Sequence, residues 1–259
     1  MRENLNLSSK IYHYSLLFLV FCFLVLPILA TFLYSISTSW GASIMPDGLT
    51  LKWYAQLFSD ERFLNALGRS LFVCFGAIFL TLFSVFPLVF AVNYYFPRFK
   101  NFANFCIIIP FAIPAVVSCV GILQLYSEDL GGTATLLIFT YFTIALPFIY
   151  RALDNAILSV KLEELIGSNA MLGGHLLGAI FKLILPQLKK GILVAVFLSF
   201  SFLMGEFLYA NILAGSAYET LQVYLYNIRG QSGHYSSAIV IVYFALIFIA
   251  TFLASLIKE

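Results

Sequence analysis

KLEELIGSNAMLGGHLLGAIFKLILPQLKKG, residues 161–191, is the stretch whose reading decides the fold. It separates two apolar runs, about Thr133–Ile157 and about Gly191–Leu213. Its first part, Leu162 to Leu172, has the pattern of a short helix, with Glu163 and Glu164 at the end where the helix dipole favours negative charge. Gly173-Gly174 breaks that helix. A second apolar helix is predicted as far as Leu185, and Pro186 marks its end before the next run. A short helix, a glycine turn and a return to an apolar run make a compact knob. Such a knob can pass force from a soluble partner to the helices behind it.

Working outward, the chain is 62% hydrophobic and 10% charged, with mean hydropathy +0.98. Soluble domains carry about 25% charged residues, so lipid must cover much of this surface. A net charge of +2 gives no footing for nucleic acid. A helix needs about 20 residues to cross a hydrocarbon layer of about 30 Å. Six segments qualify, at about 14–37, 70–94, 102–126, 133–157, 191–213 and 237–257. With the N-terminus inside, the cytoplasmic side holds Arg2, Lys10, Arg98, Lys100, Arg151, Lys161, Lys182, Lys189, Lys190 and Lys258. The other side holds Lys52, Arg62, Arg69 and Arg229. The positive-inside rule therefore places both termini in the cytoplasm. Asp47, Asp60, Glu61, Glu128, Asp129 and Glu219 lean outward. The expected organisation is a cytoplasmic N-terminus (1–13), a first transmembrane helix (14–37) and a periplasmic loop (38–69). A five-helix core (70–257) follows, with its cytoplasmic loop at 158–190.

Several spans carry prolines, and Pro110 with Pro114 should break the third near mid-depth. Cys22, Cys74, Cys106 and Cys119 lie in apolar stretches without a C-x-x-C pair and read as small buried hydrophobes. His13 and His234 are isolated and suggest no metal, and His175 reads as solvated or packed. Trp40, Trp53, Tyr94 and Tyr95 read as interfacial anchors. Glu206 is the acidic residue placed inside a span, where a charge is costly and faces a cavity or a partner. Asn211, Gln124 and Ser118 are weaker pathway candidates, since polar residues near span ends often bond a neighbouring helix. The chain lacks G-x-x-x-x-G-K-[ST], so it is no ATPase itself, and no catalytic constellation is present.

The 161–191 segment resembles the cytoplasmic loop of binding-protein-dependent ABC importer permeases. That loop reads E-A-A, three residues, G, then nine variable residues closing on I-x-L-P. Gly173 matches the central glycine, and Ile184, Leu185 and Pro186 match the close with the apolar position shifted. Gly167, Ser168 and Asn169 stand where the family has E-A-A, and Glu163 and Glu164 lie upstream of that register. Pro46–Tyr54, Asn65–Ser70, Ile109–Pro114, Gly205–Phe207 and Gly215–Tyr224 also resemble segments of these permeases. The chain looks closest to the branch importing polyamines, phosphonates such as 2-aminoethylphosphonate, and ferric iron.

The resemblance implies an all-α membrane protein, a type I (MetI-like) bundle of six transmembrane helices with a cytoplasmic coupling helix. It implies a bacterial inner-membrane subunit of an ATP-driven importer, itself non-catalytic, with ATP and Mg on partner ABC ATPase subunits. A second permease chain, usually a different one, and an extracytoplasmic solute-binding protein complete the assembly. The ATPase-coupling residues would be Glu163, Glu164, Leu165, Gly167, Ser168, Asn169, Gly173, Gly174, Leu176, Leu185 and Pro186. The solute would be a small charged molecule, polyamine ahead of phosphonate because Glu206 and the acidic outward lean favour a cation, with ferric iron third. A secondary transporter or channel is the alternative of another class, and such proteins concentrate ionisable residues in spans or show inverted repeats.

Overall fold

A computed structural model describes residues 7–41 and 46–256. Arg2 and Lys258, used above for orientation, lie outside the described residues, as does residue 257 of the sixth segment. The chain forms two compact units, one from the residues up to Asp60 with Ile228–Ala245, the other from Glu61–Asn227 with the chain from Leu246.

In the first unit α1 (Leu7–Ser35) is apolar around its whole circumference, and from Lys10 to Leu33 nearly every side chain is exposed. A helix of that kind, with no polar face, suits lipid rather than water. Its C-terminal end is clasped by polar and aromatic contacts. Trp53 Nε1, on α2 (Lys52–Phe58), donates to the Ser37 carbonyl at 2.9 Å, and Ser35 Oγ meets the Tyr54 hydroxyl at 2.6 Å. His234 opens α12 (Gly233–Leu256) and stacks between Tyr34 (4.1 Å) and Trp53 (5.6 Å). Its Nδ1 donates to the Tyr34 carbonyl at 2.9 Å. His234 is therefore not isolated, and Trp53 serves this clasp; neither pairing is local enough in sequence to be read there.

In the second unit α3 (Glu61–Tyr94), α6 (Ala134–Leu158) and α9 (Leu185–Met204) form the core. α3 and α6 run parallel in a fixed register: Thr81 Oγ1 approaches the Phe142 carbonyl and Asn93 Nδ2 donates to Asp154, each pair 61 residues apart. α9 runs antiparallel to α6. Gly191 sits so close to Ala156 that a Cβ there would lie 2.2 Å from the alanine methyl. Gly76 lies less tightly on Ile138, where a Cβ would come 3.1 Å from the end of that side chain. Between apolar helices in lipid, association depends on close packing, and small residues at the contact permit it. Buried Val73, Cys74, Ala77, Ile78, Val85 and Val89 recur every three or four residues on α3, the stripe such packing requires.

Between these helices lie α4 (Lys100–Ala112) and α5 (Ala115–Leu130), bent by 90° at Ile113-Pro114. The residue before a proline is pushed out of the helical region, and Ile113 is extended at φ −89°, ψ 127°. The break belongs to Pro114, whereas Pro110 is carried inside α4. Among the described residues, five helices are long and apolar enough to cross a membrane, and a sixth is counted if the bent pair is one span.

Three boundaries differ from the sequence reading. α3 begins at Glu61, within the segment expected as loop, because Arg62 of its charged first turn bonds Glu219 rather than meeting lipid. Pro186 does not end a helix: the chain is helical from Leu176 to Met204. A π turn at Ile180–Ile184 sends the Leu185 N–H back five residues to the Ile180 carbonyl, widening the ladder where the proline ring must pass. α9 stops at Met204, and the segment read as one span to Leu213 breaks before α10 (Leu208–Leu213). Of the cysteines, Cys74 and Cys119 are buried, Cys22 is half-buried and Cys106 is exposed.

Candidate solute cavity and membrane-end knob

The break between α9 and α10 puts Glu206 outside any helix. Gly205 and Glu206 turn their N–H groups back to Phe202 and Leu203, the tight last turn with which helices often end. The Glu206 side chain folds forward, and Oε1 accepts the Tyr209 N–H at 3.0 Å, capping the first turn of α10. Around it the α4–α5 bend, α6 and α9 enclose a cavity of about 650 Å³. Its wall includes Pro110, Pro114, Ser118, Phe202, Glu206 and Tyr209. The charge on this wall is the Glu206 carboxylate, set among mostly apolar groups.

Of the four pathway candidates, the fold brings Glu206 and Ser118 together. Gln124 is exposed on α5, and Asn211 sits on α10 away from the cavity wall. Tyr209 and Phe202 were missed. Tyr209 stands three residues after Glu206, the spacing of a side chain that caps a helix start, and that spacing was the available signal.

The knob follows α6. α7 (Leu162–Met171) buries Leu162 and Ile166 and exposes Glu163, Glu164, Gly167 and Ser168. Lys161 pairs with Glu164 at 2.8 Å, and Ser168 Oγ donates to the Glu164 carbonyl. The turn has one geometry. Gly173 takes the left-handed φ of +77°, its N–H bonds to Ala170 O at 2.9 Å, and the Gly174 N–H bonds to Asn169 O at 2.8 Å. These two bonds form a Schellman motif, which closes the orphan carbonyls of a helix end. Asn169, at a position where the resembled motif carries alanine, adds a third tie by donating to the His175 carbonyl at 3.1 Å. α8 (Leu176–Ala179) then leads through the π turn into α9, where Leu185 is half-buried and Pro186 exposed.

The tip of this turn is apolar and open. Met171 and Leu172 are 85% and 88% exposed, and Leu177 is also exposed. Leu165 and Leu176, by contrast, are half-buried. Behind the knob Lys100 Nζ bonds Asp154 and Asn93 Oδ1, both at 2.9 Å, tying α3, α4 and α6 at this end.

At the opposite end of α3, Arg62 grips Glu219 through two hydrogen bonds of 2.7 Å, and Asn227 of α11 (Leu221–Ile228) adds a third at 2.7 Å. Burial pushes the Glu219 carboxyl up. The hydrogen bonds from Arg62 and Asn227, with the charges of Arg62 and Arg69, outweigh it and hold the carboxyl below its ordinary value. The acidic lean on that side is thus partly spent internally. Glu219 pairs with Arg62, and Asp60 accepts from Tyr235.

Long apolar helices, a cavity beside a broken pair and an open apolar knob at one end define a membrane transport component. Residues 83–258 match the family described as binding-protein-dependent transport system inner membrane component, and the chain belongs to it. It is accordingly a multi-pass inner-membrane permease of the ABC importer family. It is 26% identical to the putrescine transport system permease protein PotI of Escherichia coli K12, over 87% of this chain and 82% of that one. It is also 26% identical to the protein named "Putative 2-aminoethylphosphonate transport system permease protein PhnV" of Salmonella typhimurium LT2, over 83% of this chain and 80% of that one. These relatives are permease subunits of transporters. The fold is shared with a bacterial ABC transporter involved in import of the acidic polysaccharide alginate, at TM-score 0.78 and 15% identity over 98% of this chain and 99% of that one. A second structure, of the alginate transporter with a pentasaccharide-bound periplasmic protein, gives TM-score 0.70 and 14% identity, over 95% and 92%.

Proposed function

We propose that this chain is a six-span permease subunit of an ATP-driven importer that passes a small cationic solute, of the polyamine class, through the cavity at Glu206. The observation that carries the reading is a single carboxylate on the wall of a largely apolar cavity at a helix break. An ionised carboxylate at membrane depth is stabilised by a cation, and an aliphatic amine supplies both that charge and an apolar chain. Putrescine has this form, and the likeness to the putrescine permease supports it. A phosphonate would bring an anion beside Glu206, so it ranks second despite an equal likeness; ferric iron ranks third.

The knob is the ATPase-coupling element in this reading. Its open apolar side chains, Met171, Leu172 and Leu177, offer a soluble partner a contact that water disfavours. The ATPase would bind ATP and Mg, a different permease chain would complete the pore, and an extracytoplasmic binding protein would deliver the solute. Lys100, Arg151, Lys161, Lys182, Lys189 and Lys190 cluster at the knob end, which supports a cytoplasmic knob and cytoplasmic termini.

Uptake of labelled putrescine and labelled 2-aminoethylphosphonate in a deletion strain and its complemented parent tests the assignment. Putrescine uptake lost on deletion, restored by this chain and abolished by Glu206→Gln is expected. Restoration of phosphonate uptake alone would overturn the cation reading.

A further inference from the structure

The α9–α10 break that sets Glu206 is held only in part by its own backbone. The Phe202 and Leu203 carbonyls accept the Gly205 and Glu206 N–H groups, but past a helix end the Met204 and Glu206 carbonyls have no following helical N–H to accept from. Both are taken by side chains from elsewhere. Tyr141, on α6 and 2% exposed, donates its hydroxyl to the Glu206 carbonyl at 3.2 Å. Gln222, on α11, donates Nε2 to the Met204 carbonyl at 3.1 Å. The two acceptors flank Gly205, the residue least able to resist a change of backbone direction. Pinned on both sides, the peptide leaves Glu206 one course, with its Oε1 on the Tyr209 N–H and its side chain on the cavity wall.

We propose that Tyr141 and Gln222 are positioning residues for the Glu206 carboxylate, fixing the direction in which the break presents it to the cavity. The role rests on the reading of Glu206 as the solute-facing charge, but its geometry does not depend on which solute is carried. Neither residue needs to touch the solute. Each acts by satisfying a main-chain carbonyl that would otherwise turn to find another donor. Tyr150 supplies an internal comparison. It lies on the same helix, is as deeply buried, and its hydroxyl has no hydrogen-bond partner.

The test labels carboxylates in the assembled transporter with a carbodiimide and methylamine, and reads Glu206 by mass spectrometry apart from the exposed Glu163 and Glu164. Tyr141→Phe and Gln222→Leu should each change Glu206 labelling about threefold or more, the weight of one hydrogen bond. Labelling of Glu163 and Glu164 should stay as in the wild type, and Tyr150→Phe should leave Glu206 unaltered. Wild-type Glu206 labelling in both variants, or an equal change in Tyr150→Phe, would overturn the proposal. Gln222 is half-buried, so its variant reports even if Tyr141→Phe fails to fold. Putrescine protection of wild-type Glu206, measured in the same assay, reports on the solute assignment separately. Its absence would remove the cation reading while leaving the positioning effect to be scored.

Discussion

The knob and the Glu206 break are both short departures from helix at opposite ends of the helical run from Leu176 to Met204, yet they are held in different ways. The knob closes on itself: Gly173 and Gly174 bond back to Ala170 and Asn169, and Asn169 reaches His175, all within seven residues. The Glu206 break has local bonds from the Gly205, Glu206 and Tyr209 N–H groups, but it is also held from α6 and α11, by residues 65 and 18 positions away in sequence from the groups they bind. A self-closed turn keeps its shape whatever its neighbours do, which suits a contact element. A turn held from outside changes when its holders move, which suits a site whose exposure must vary.

That contrast predicts where damage is local. The largest effect is expected at the knob tip, where Leu172→Asp puts a charge into the proposed partner contact. Co-purification of the ATPase should fall about 30-fold or more, as for a buried contact residue, while the permease still elutes as one folded species. Retained ATPase binding would break the assignment of the tip. Next is the helix core. Gly191→Val overpacks Ala156 and should cost about 1–3 kcal/mol in detergent-solubilised thermal unfolding, with part recovered by Ala156→Gly. Gly173→Ala is smaller, about 1–2 kcal/mol from the left-handed backbone, since its Cβ would meet open space. Hydrogen exchange at Gly174 should rise in that variant, and unchanged exchange would show the turn is not self-closed.

The smallest effect concerns pH at the Arg62–Glu219 pair. The folded carboxyl of Glu219 lies below its unfolded value, so its contribution is complete above the unfolded value and is lost as pH falls through the folded one. Thermal stability between about pH 5 and pH 3 should therefore decline less steeply in Glu219→Gln than in the wild type. Parallel pH curves for the two proteins would remove Glu219 from the acid response.

The same contrast explains what could be read from the sequence. Features closed within a few residues were legible: the Gly173-Gly174 turn, a break in the third span at its prolines, which falls at Pro114, and the apolar runs. Features that depend on distant partners were not. Glu206 was recognised as a costly charge, but its place in a break depends on Tyr141 and Gln222, which carry no local mark. Pro186 reads as a helix end because a π turn has no sequence signature that offsets it. The outward acidic residues looked like a field for a cation until Glu219 and Asp60 were found paired. No sequence signal marks Met171 and Leu172 as exposed, because apolar residues on a short helix normally form its buried face.

The knob tip carries one more consequence. From Leu165 to Phe181 the chain has no Asp, Glu, Lys or Arg, and the Schellman turn has already used the backbone groups at the helix end. A partner docked there, as proposed, would be offered methyl and thioether surface and few polar handles. A contact confined to the tip would depend little on ionic strength, unlike one that reached the exposed Lys161, Glu163 and Glu164 of the same knob. It tightens in sulfate and loosens on cooling, as apolar association does.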